Sequence, residues 1–279
     1  MKIGVFGINS GKTFGAAATS RLAALCEDLG YDSWWAGEHV VVPSPRVPPS
    51  PMRPTDPILD PLVHLAFVAA ASERLLLGTG IIIVPQRNPL VLAKQIASLD
   101  ALSGGRFVFG IGVGYLEPEM SAIGIPMSER ASRTDDHLAA MRAIWYDEGP
   151  VAFTGRHTTF SGVDAHPRPT HTIPIVVGGR TNGAHRRAIE QGHGWYGFFL
   201  SPEDSAEQVR HLGDAANRYT RPADLGRLEI SVTPNAPLTA DSVQAYADAG
   251  VDRLIVYPVG LEEAETERYL AEHAALVIG

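Results

Sequence analysis

Residues 75–114 read LLLGTGIIIVPQRNPLVLAKQIASLDALSGGRFVFGIGVG. An apolar, β-rich run, Leu75–Val84, gives way to a segment of helical period and then to a second β-rich run, Arg106–Val113. Asn88-Pro89 opens the helical part with a side chain that accepts from free N–H groups and a proline whose φ suits the first turn. Leu92, Ile96 and Leu99 lie at i, i+4 and i+7 and bury one face. Ser103-Gly104-Gly105 follows as the stop. Two strands joined by one helix form the parallel βαβ unit.

The same alternation extends along the chain. Further strand patterns occupy Lys2–Gly7, Asp32–Gly37, Ile173–Gly178, Gly194–Phe199, Leu228–Thr233 and Asp252–Tyr257, which brings the total to eight. Leu22, Leu25, Cys26 and Leu29 mark the buried face of the first helix, and Leu138, Met141 and Trp145 that of a later one. Leu29-Gly30-Tyr31-Asp32, Gln191-Gly192-His193-Gly194 and Ala249-Gly250-Val251-Asp252 each place a glycine between helix and strand, where a left-handed stop costs least. Eight such units predict an α/β fold, a single (β/α)8 TIM barrel over residues 1–279, with functional residues just after the strands. Two segments break the rhythm. Val40–Pro61 holds eight prolines after the second strand and is a lid candidate. Gly149–Thr172 is an excursion before the fifth strand that predicts a small hairpin.

Composition narrows the function. The 279 residues carry 23 Lys+Arg against 31 Asp+Glu, a formal net charge of −8, whereas a nucleic-acid binder shows a basic field. With 45% hydrophobic and 19% charged residues, 28 Gly and 21 Pro, the chain can bury a large core, which excludes disorder and collagen-like repeats. One cysteine, Cys26, allows no disulfide framework and no multi-Cys zinc site. His157, His166 and His171 lack metal-ligand spacing, so no metal is expected. No apolar run approaches the roughly 18 residues of a membrane span, and no signal region follows the N-terminus. A cytoplasmic protein with no nucleic-acid or membrane partner is expected.

Several loops after strands carry chemistry. Gly7-Ile8-Asn9-Ser10-Gly11-Lys12-Thr13 has one residue too few between its glycines for a phosphate-binding P-loop and reads as a strand-to-helix turn. Gly110-Ile111-Gly112-Val113-Gly114 falls short of a dinucleotide fingerprint, but its glycines permit close approach of a flat ligand. Val177-Gly178-Gly179-Arg180-Thr181 ends a strand and opens a helix that also carries Arg186 and Arg187. Exposed N–H groups, the positive helix end and arginine make an anion site there; a plain glycine-rich turn is the alternative. Glu38-His39 ends the second strand. Histidine there can exchange a proton with a ligand or serve structurally, and Glu38 can orient it, bond the ligand or face solvent. Trp195-Tyr196 either walls a pocket or fills the barrel.

Together these residues resemble the luciferase-like monooxygenase superfamily, most closely its branch of oxidoreductases that use the deazaflavin coenzyme F420. The resemblance covers nearly the whole chain, through Glu38-His39, Leu77-Gly78-Thr79-Gly80-Ile81, Asn88-Pro89, Leu102-Ser103-Gly104-Gly105-Arg106, the glycines 110–114, Glu129-Arg130 and Val177-Gly178-Gly179. It implies a barrel, often a homodimer, with a flavin or deazaflavin ring across the C-terminal mouth. It also implies a non-proline cis peptide in the third strand, at Gly80–Ile81. By position, Glu38, His39, Thr79, Gly80, Ile81, Val113 and Gly114 are expected around the ring and ribityl chain, and Gly178, Gly179, Arg180 and Thr181 at the phosphate. Sugar-phosphate dehydrogenases of this branch have an acid where this chain has Tyr115, and their substrate-phosphate lysine has no counterpart here. That departure argues against sugar-phosphate oxidation.

The resemblance therefore implies hydride transfer between F420 and a small organic substrate, with His39 as proton donor or acceptor and Tyr115 as hydrogen-bond donor. One alternative is a monooxygenase using reduced FMN and oxygen, since both cofactors share a tricyclic ring, a ribityl chain and a phosphate. Arg180, Arg186 and Arg187 would suit the longer acidic tail of F420. An alternative of another class is a flavin-binding protein without catalysis, suggested by Tyr115 standing in the acid's place.

Overall fold

Successive side chains of a strand point to opposite faces, and in this chain that alternation divides the core in two. The computed structural model describes residues 1–278. In chain order the elements are β1 (Lys2–Phe6), α1 (Ala16–Asp28), β2 (Ser33–Ala36), α2 (Pro61–Ala71), β3 (Leu76–Thr79), β4 (Ile82–Ile83), α3 (Pro89–Ser103), β5 (Phe107–Gly112), α4 (Glu117–Ala122) and α5 (Arg130–Tyr146). Then follow β6 (Val151–Thr154), β7 (Thr159–Val163), β8 (Ile175–Gly178), α6 (Asn182–Gln191), β9 (Gly194–Leu200), α7 (Pro202–Ala216), β10 (Glu229–Pro234), α8 (Ala240–Asp248), β11 (Arg253–Val256) and α9 (Glu263–Ile278).

The ladder runs β3-β2-β1-β11-β10-β9-β8-β5, every pair parallel, and β5 also pairs with β3. With β3 and β4 as one interrupted strand, eight strands close into a barrel surrounded by helices, the expected (β/α)8 fold. On β2, Trp34 faces outward and donates to His64 of α2 (3.0 Å), whereas Trp35 faces inward and stacks on Tyr196 at 5.8 Å. Gly4 and Gly78 make room for the Trp35 indole; a Cβ at Gly78 would overlap it. The interior cluster is Phe6, Trp35, Val108, Val176, Tyr196 and Ile255, while α2, α3 and α5 cover the outward faces with Leu65, Leu92, Ile96, Leu138 and Met141. Trp195 and Tyr196 thus help fill the fold rather than wall a pocket, and Cys26 and Trp145 are buried in the core.

The punctuation of the sequence is largely realised. Asn88 accepts from the Leu90 and Val91 N–H groups at 3.0 and 3.2 Å, and Gly104 closes α3 with φ +68°. Gly30 and Gly250 are left-handed, with φ of +84° and +86°. Gly192 is not: its φ is −98°, and its glycine is explained by close approach, since a Cβ there would meet the Ala188 and Gly194 carbonyls at 3.0 Å.

The third strand departs from a continuous run. It stops at Thr79, the Gly80–Ile81 peptide is cis, and only Ile82–Ile83 resume before a 3₁₀ turn over Val84–Gln86. The facing strands are shaped to receive this break. A Cβ at Gly110 would overlap the Thr79 carbonyl, one at Gly112 would overlap the Ile81 side chain, and one at Gly178 would meet that side chain at 3.0 Å. The excursion forms the antiparallel hairpin β6–β7. The proline-rich segment has no helix or regular strand between residues 40 and 57. Its end is tied to the β1 loop: the Leu59 N–H donates to the Asn9 carbonyl (2.8 Å), and Asn9 Nδ2 donates to the Gly37 and Leu59 carbonyls (2.9 and 3.0 Å). Among the described residues no helix is long and apolar enough to cross a membrane.

Candidate active site

Because all eight strands are parallel, their C-terminal ends share one rim. That rim gathers Glu38 and His39 after β2, Gly80 and Ile81 after β3, Val113, Gly114 and Tyr115 after β5, and Gly178 to Thr181 after β8. Phe198 and Phe199 at the end of β9 and Tyr257 after β11 complete it.

His39 is held by a residue that sequence reasoning missed. Its Nδ1 lies 2.8 Å from Glu119 Oε2, and the other Glu119 oxygen accepts from the Val40 N–H at 2.7 Å. Glu119 sits in α4 and is only 1% exposed, so its charge meets these partners with little competition from water. A Glu119 carboxylate can only accept, which makes Nδ1 the protonated nitrogen and leaves Nε2 an acceptor without a protein partner among the described residues. The Tyr115 ring stands edge-on to His39 at 6.1 Å and is half exposed. Burial, seconded by the Glu119 charge, raises its hydroxyl pKa, so it is a donor at neutral pH. The available signal for Glu119 was Glu117-Pro118-Glu119, a proline and acids opening a helix just after the glycines.

Both Glu38 oxygens are engaged within the protein. One oxygen accepts from the Ile83 N–H (2.6 Å) and the other from Arg87, which also reaches Asp60 Oδ2 at 2.6 Å. Burial pushes the Glu38 carboxyl up, opposed by Arg87 and the Ile83 N–H. Glu38 therefore ties the end of β2 to the chain just beyond the cis peptide and, through Arg87, to Asp60 at the start of α2. The Thr79 hydroxyl is likewise spent inside the wall, on the Gly110 carbonyl at 2.7 Å. Gly114 has φ +81°, and a Cβ there would lie 2.9 Å from Ile83 and Met120.

Across the mouth, Phe6 meets Tyr257 and Phe198 edge-on at 5.0 and 5.2 Å, and Phe198 meets Phe199 at 4.4 Å. Phe199 is, among the described residues, the one non-glycine with positive φ, +52°, and both phenylalanines stay substantially exposed. At the β8 end, Trp195 Nε1 donates to the Gly179 carbonyl (2.8 Å) and Thr181 caps α6 by accepting from the Ala184 N–H (3.2 Å). The Asn182 and Gly183 N–H groups have no intrahelical acceptor. The exposed Arg180 makes no hydrogen bond or ion pair among the described residues. Arg186 and Arg187 do not join it: Arg186 binds Asp135 and Glu190, and Arg187 binds Asp135. Of the three arginines expected to suit a cofactor tail, Arg186 and Arg187 are engaged at close range by Asp135 on α5, and Arg180 is not.

These residues fit a flavin-type group. Phe6 lies against Gly37 and Gly80, exposed Phe198 and Phe199 beside it offer aromatic surface for a flat ring, and the free N–H groups with Arg180 suit a phosphate.

The sequence pattern of luciferase-like monooxygenases matches residues 1–276. An uncharacterized protein of Mycobacterium bovis is 30% identical over 270 residues, 91% of each chain. An F420-dependent glucose-6-phosphate dehydrogenase of Kineococcus radiotolerans is 29% identical over 191 residues, 67% of this chain and 53% of that protein. Among solved structures, a monooxygenase of Streptomyces bottropensis superposes with a TM-score of 0.79 at 22% identity, covering 100% of this chain and 99% of that one.

Proposed function

Since the chain belongs to the luciferase-like monooxygenase family, whose members are oxidoreductases, we propose that it moves a hydride between coenzyme F420 and a small organic substrate. The observation that carries this is His39: Nδ1 held by buried Glu119, Nε2 free at a mouth faced with aromatic side chains. When bound, the deazaflavin supplies a ring carbon that accepts or donates hydride. The Gly80–Ile81 face and Val113–Gly114 support its ring, and Gly178, Gly179, Arg180 and Thr181 hold its phosphate.

His39 Nε2 gives or takes the proton at the reacting substrate group while Glu119 keeps the imidazole in one tautomer and orientation. Tyr115 donates a hydrogen bond beside it. Glu119 restores a carboxylate near the histidine, which removes the reason for supposing a barrel without catalysis. Phe6, Phe198, Phe199 and Tyr257 exclude water and favour an uncharged substrate.

The preference for F420 is supported by the Kineococcus relative. The FMN-dependent monooxygenase reading is favoured by one finding: with Arg186 and Arg187 committed to Asp135, only Arg180 remains for a longer acidic tail. A side-by-side fluorescence titration with F420 and FMN separates them. Selective F420 binding is expected; selective FMN binding with oxygen uptake overturns it.

The proposal includes a cytoplasmic homodimer. Val63 and Phe67 on α2 and Val91 and Leu102 on α3 are exposed apolar residues on neighbouring helices, a patch suited to a second copy. Sedimentation of Val63→Asp against the unaltered protein tests it, with a shift to monomer expected.

A further inference from the structure

We propose that a cavity on the flank of the barrel floor, where Arg142, Tyr146 and His193 converge, binds a small organic carboxylate. It lies at the N-terminal ends of β8 and β9, opposite the mouth, and has a volume of 290 Å³. Arg142, Tyr146 and His193 each keep at least one N–H or O–H donor without an acceptor among the described residues. Arg142 makes two hydrogen bonds, both to Gln191, at 3.3 Å to the side-chain oxygen and 3.0 Å to the carbonyl. The rest of its five N–H groups have no partner among the described residues.

Tyr146 spends its oxygen as acceptor of the Ile173 N–H (3.0 Å), which leaves the O–H to donate. His193 Nδ1 accepts from the Ile175 N–H (3.0 Å), so the neutral ring carries its proton on Nε2. Burial first, then the charges of Arg142 and Arg221, lower the His193 pKa and keep that ring neutral.

Helix capping accounts for only part of this arrangement. Arg221 also caps α6, but it spends its guanidinium on five carbonyls, those of Ala188, Ile189, Gly192, Leu225 and Gly226. Arg253 and Arg187 meet carboxylates directly. Arg142 does neither, although burial works against its charge, and a cation so placed favours an anion beside it.

Two acids also line the cavity. Glu190 is taken by Arg186 at 2.6 Å, and Asp224 is exposed with no hydrogen bond among the described residues, although its charge reaches Arg142 and His193. The remaining wall includes Ile173 and Leu225, which suits an acid with an apolar body over inorganic phosphate. The volume sits near the lower limit of small-molecule sites, about 300 Å³, and fits a body the size of one benzene ring. The ten residues of α6 separate this cavity from the anion cradle at the mouth by roughly 15 Å.

Calorimetric titration of the full chain with benzoate, its neutral isostere benzamide and inorganic phosphate tests the site. Saturable benzoate binding is expected, with benzamide and phosphate at least about tenfold weaker. Arg142→Gln should weaken benzoate roughly ten- to a hundredfold, the range for hydrogen bonds to a charged group. Tyr146→Phe, a milder change that carries the test if Arg142→Gln does not fold, should weaken it several-fold. Arg180→Gln should leave it unchanged, and Asp224→Asn should strengthen it. Loss of binding in Arg180→Gln, indifference to both Arg142→Gln and Tyr146→Phe, preference for phosphate, no benzoate binding, or binding only in Asp224→Asn would each overturn the proposal.

Discussion

The interior of the barrel ends differently at its two openings. At the floor, Arg253 is 3% exposed and binds Asp32 at 2.7 Å, Glu229, and Ser231 Oγ at 3.2 Å, while Lys2 closes on Glu229 from outside. At the mouth, His39 Nε2, the Tyr115 hydroxyl and Arg180 remain without protein partners among the described residues. Inside the barrel, the floor spends its polar groups on itself, and the mouth keeps some in reserve. Mutational cost should therefore appear as stability at one end and as ligand binding or rate at the other.

The largest effect is expected at the mouth. His39→Ala should lower turnover by roughly 10²–10⁴-fold with the cofactor affinity nearly unchanged, as for loss of a general acid or base. Glu119→Gln keeps the shape but has one acceptor oxygen for two donors, His39 Nδ1–H and the Val40 N–H, and should lower turnover by about 10–100-fold with an altered pH–rate profile. Steady-state kinetics on both variants decide this. Equal turnover in His39→Ala would break the comparison, because the mouth would then be as purely structural as the Arg253 cluster inside the floor.

Arg253→Ala leaves Asp32 without its cation and Glu229 with Lys2 alone, and should cost about 3 kcal/mol of unfolding free energy. Cofactor affinity per folded molecule should not change. Urea unfolding paired with the fluorescence titration measures both quantities. A large loss of affinity at full stability would sink the assignment of the floor to structure.

Acidification asks which part yields first. Burial lowers the His64 pKa to about 4 from 6.5, and the ring accepts from Trp34. The unfolded chain therefore binds a proton that the folded one refuses, and stability falls as the pH drops from 6.5 to 4, by roughly 3 kcal/mol. Glu229 behaves differently. Burial would raise its pKa, but Arg253 and Lys2 outweigh burial and hold it below 4.5. Its contribution is complete above that value and disappears only as the pH falls through the lowered one. His64→Gln, which retains an acceptor for Trp34, should flatten the upper part of a stability–pH curve, and Glu229→Gln the lower part.

The smallest effect concerns Arg180. Arg180→Gln should weaken cofactor binding about tenfold, the loss of one charge-assisted contact, and leave turnover at saturating cofactor intact. Indifference to the change would assign the anion cradle to the backbone N–H groups alone.

Much of this arrangement is legible in local pattern. The period of two in strands and 3.6 in helices marks the alternating units of a barrel. Asn88 and Gly104 act within one helix, so short-range geometry suffices to read them. Parallel strands place the segments after Gly37, Thr79, Gly112 and Gly178 on one rim whatever else the chain does. The interruption of the third strand is less legible, because it depends on glycines from two other strands closing around Ile81.

The sequence by itself determined the closed barrel, the side of it where chemistry belongs and the residue types gathered there, since periodicity and strand direction are local properties. Only the tertiary structure decided how those residues are spent. Glu119 reaches His39 across 80 positions, Arg87 claims Glu38 across 49, and Asp135 draws Arg186 and Arg187 away from the mouth. Such pairings turn on which charged groups lie within hydrogen-bond distance once water is excluded, and no spacing along the chain carries that distance.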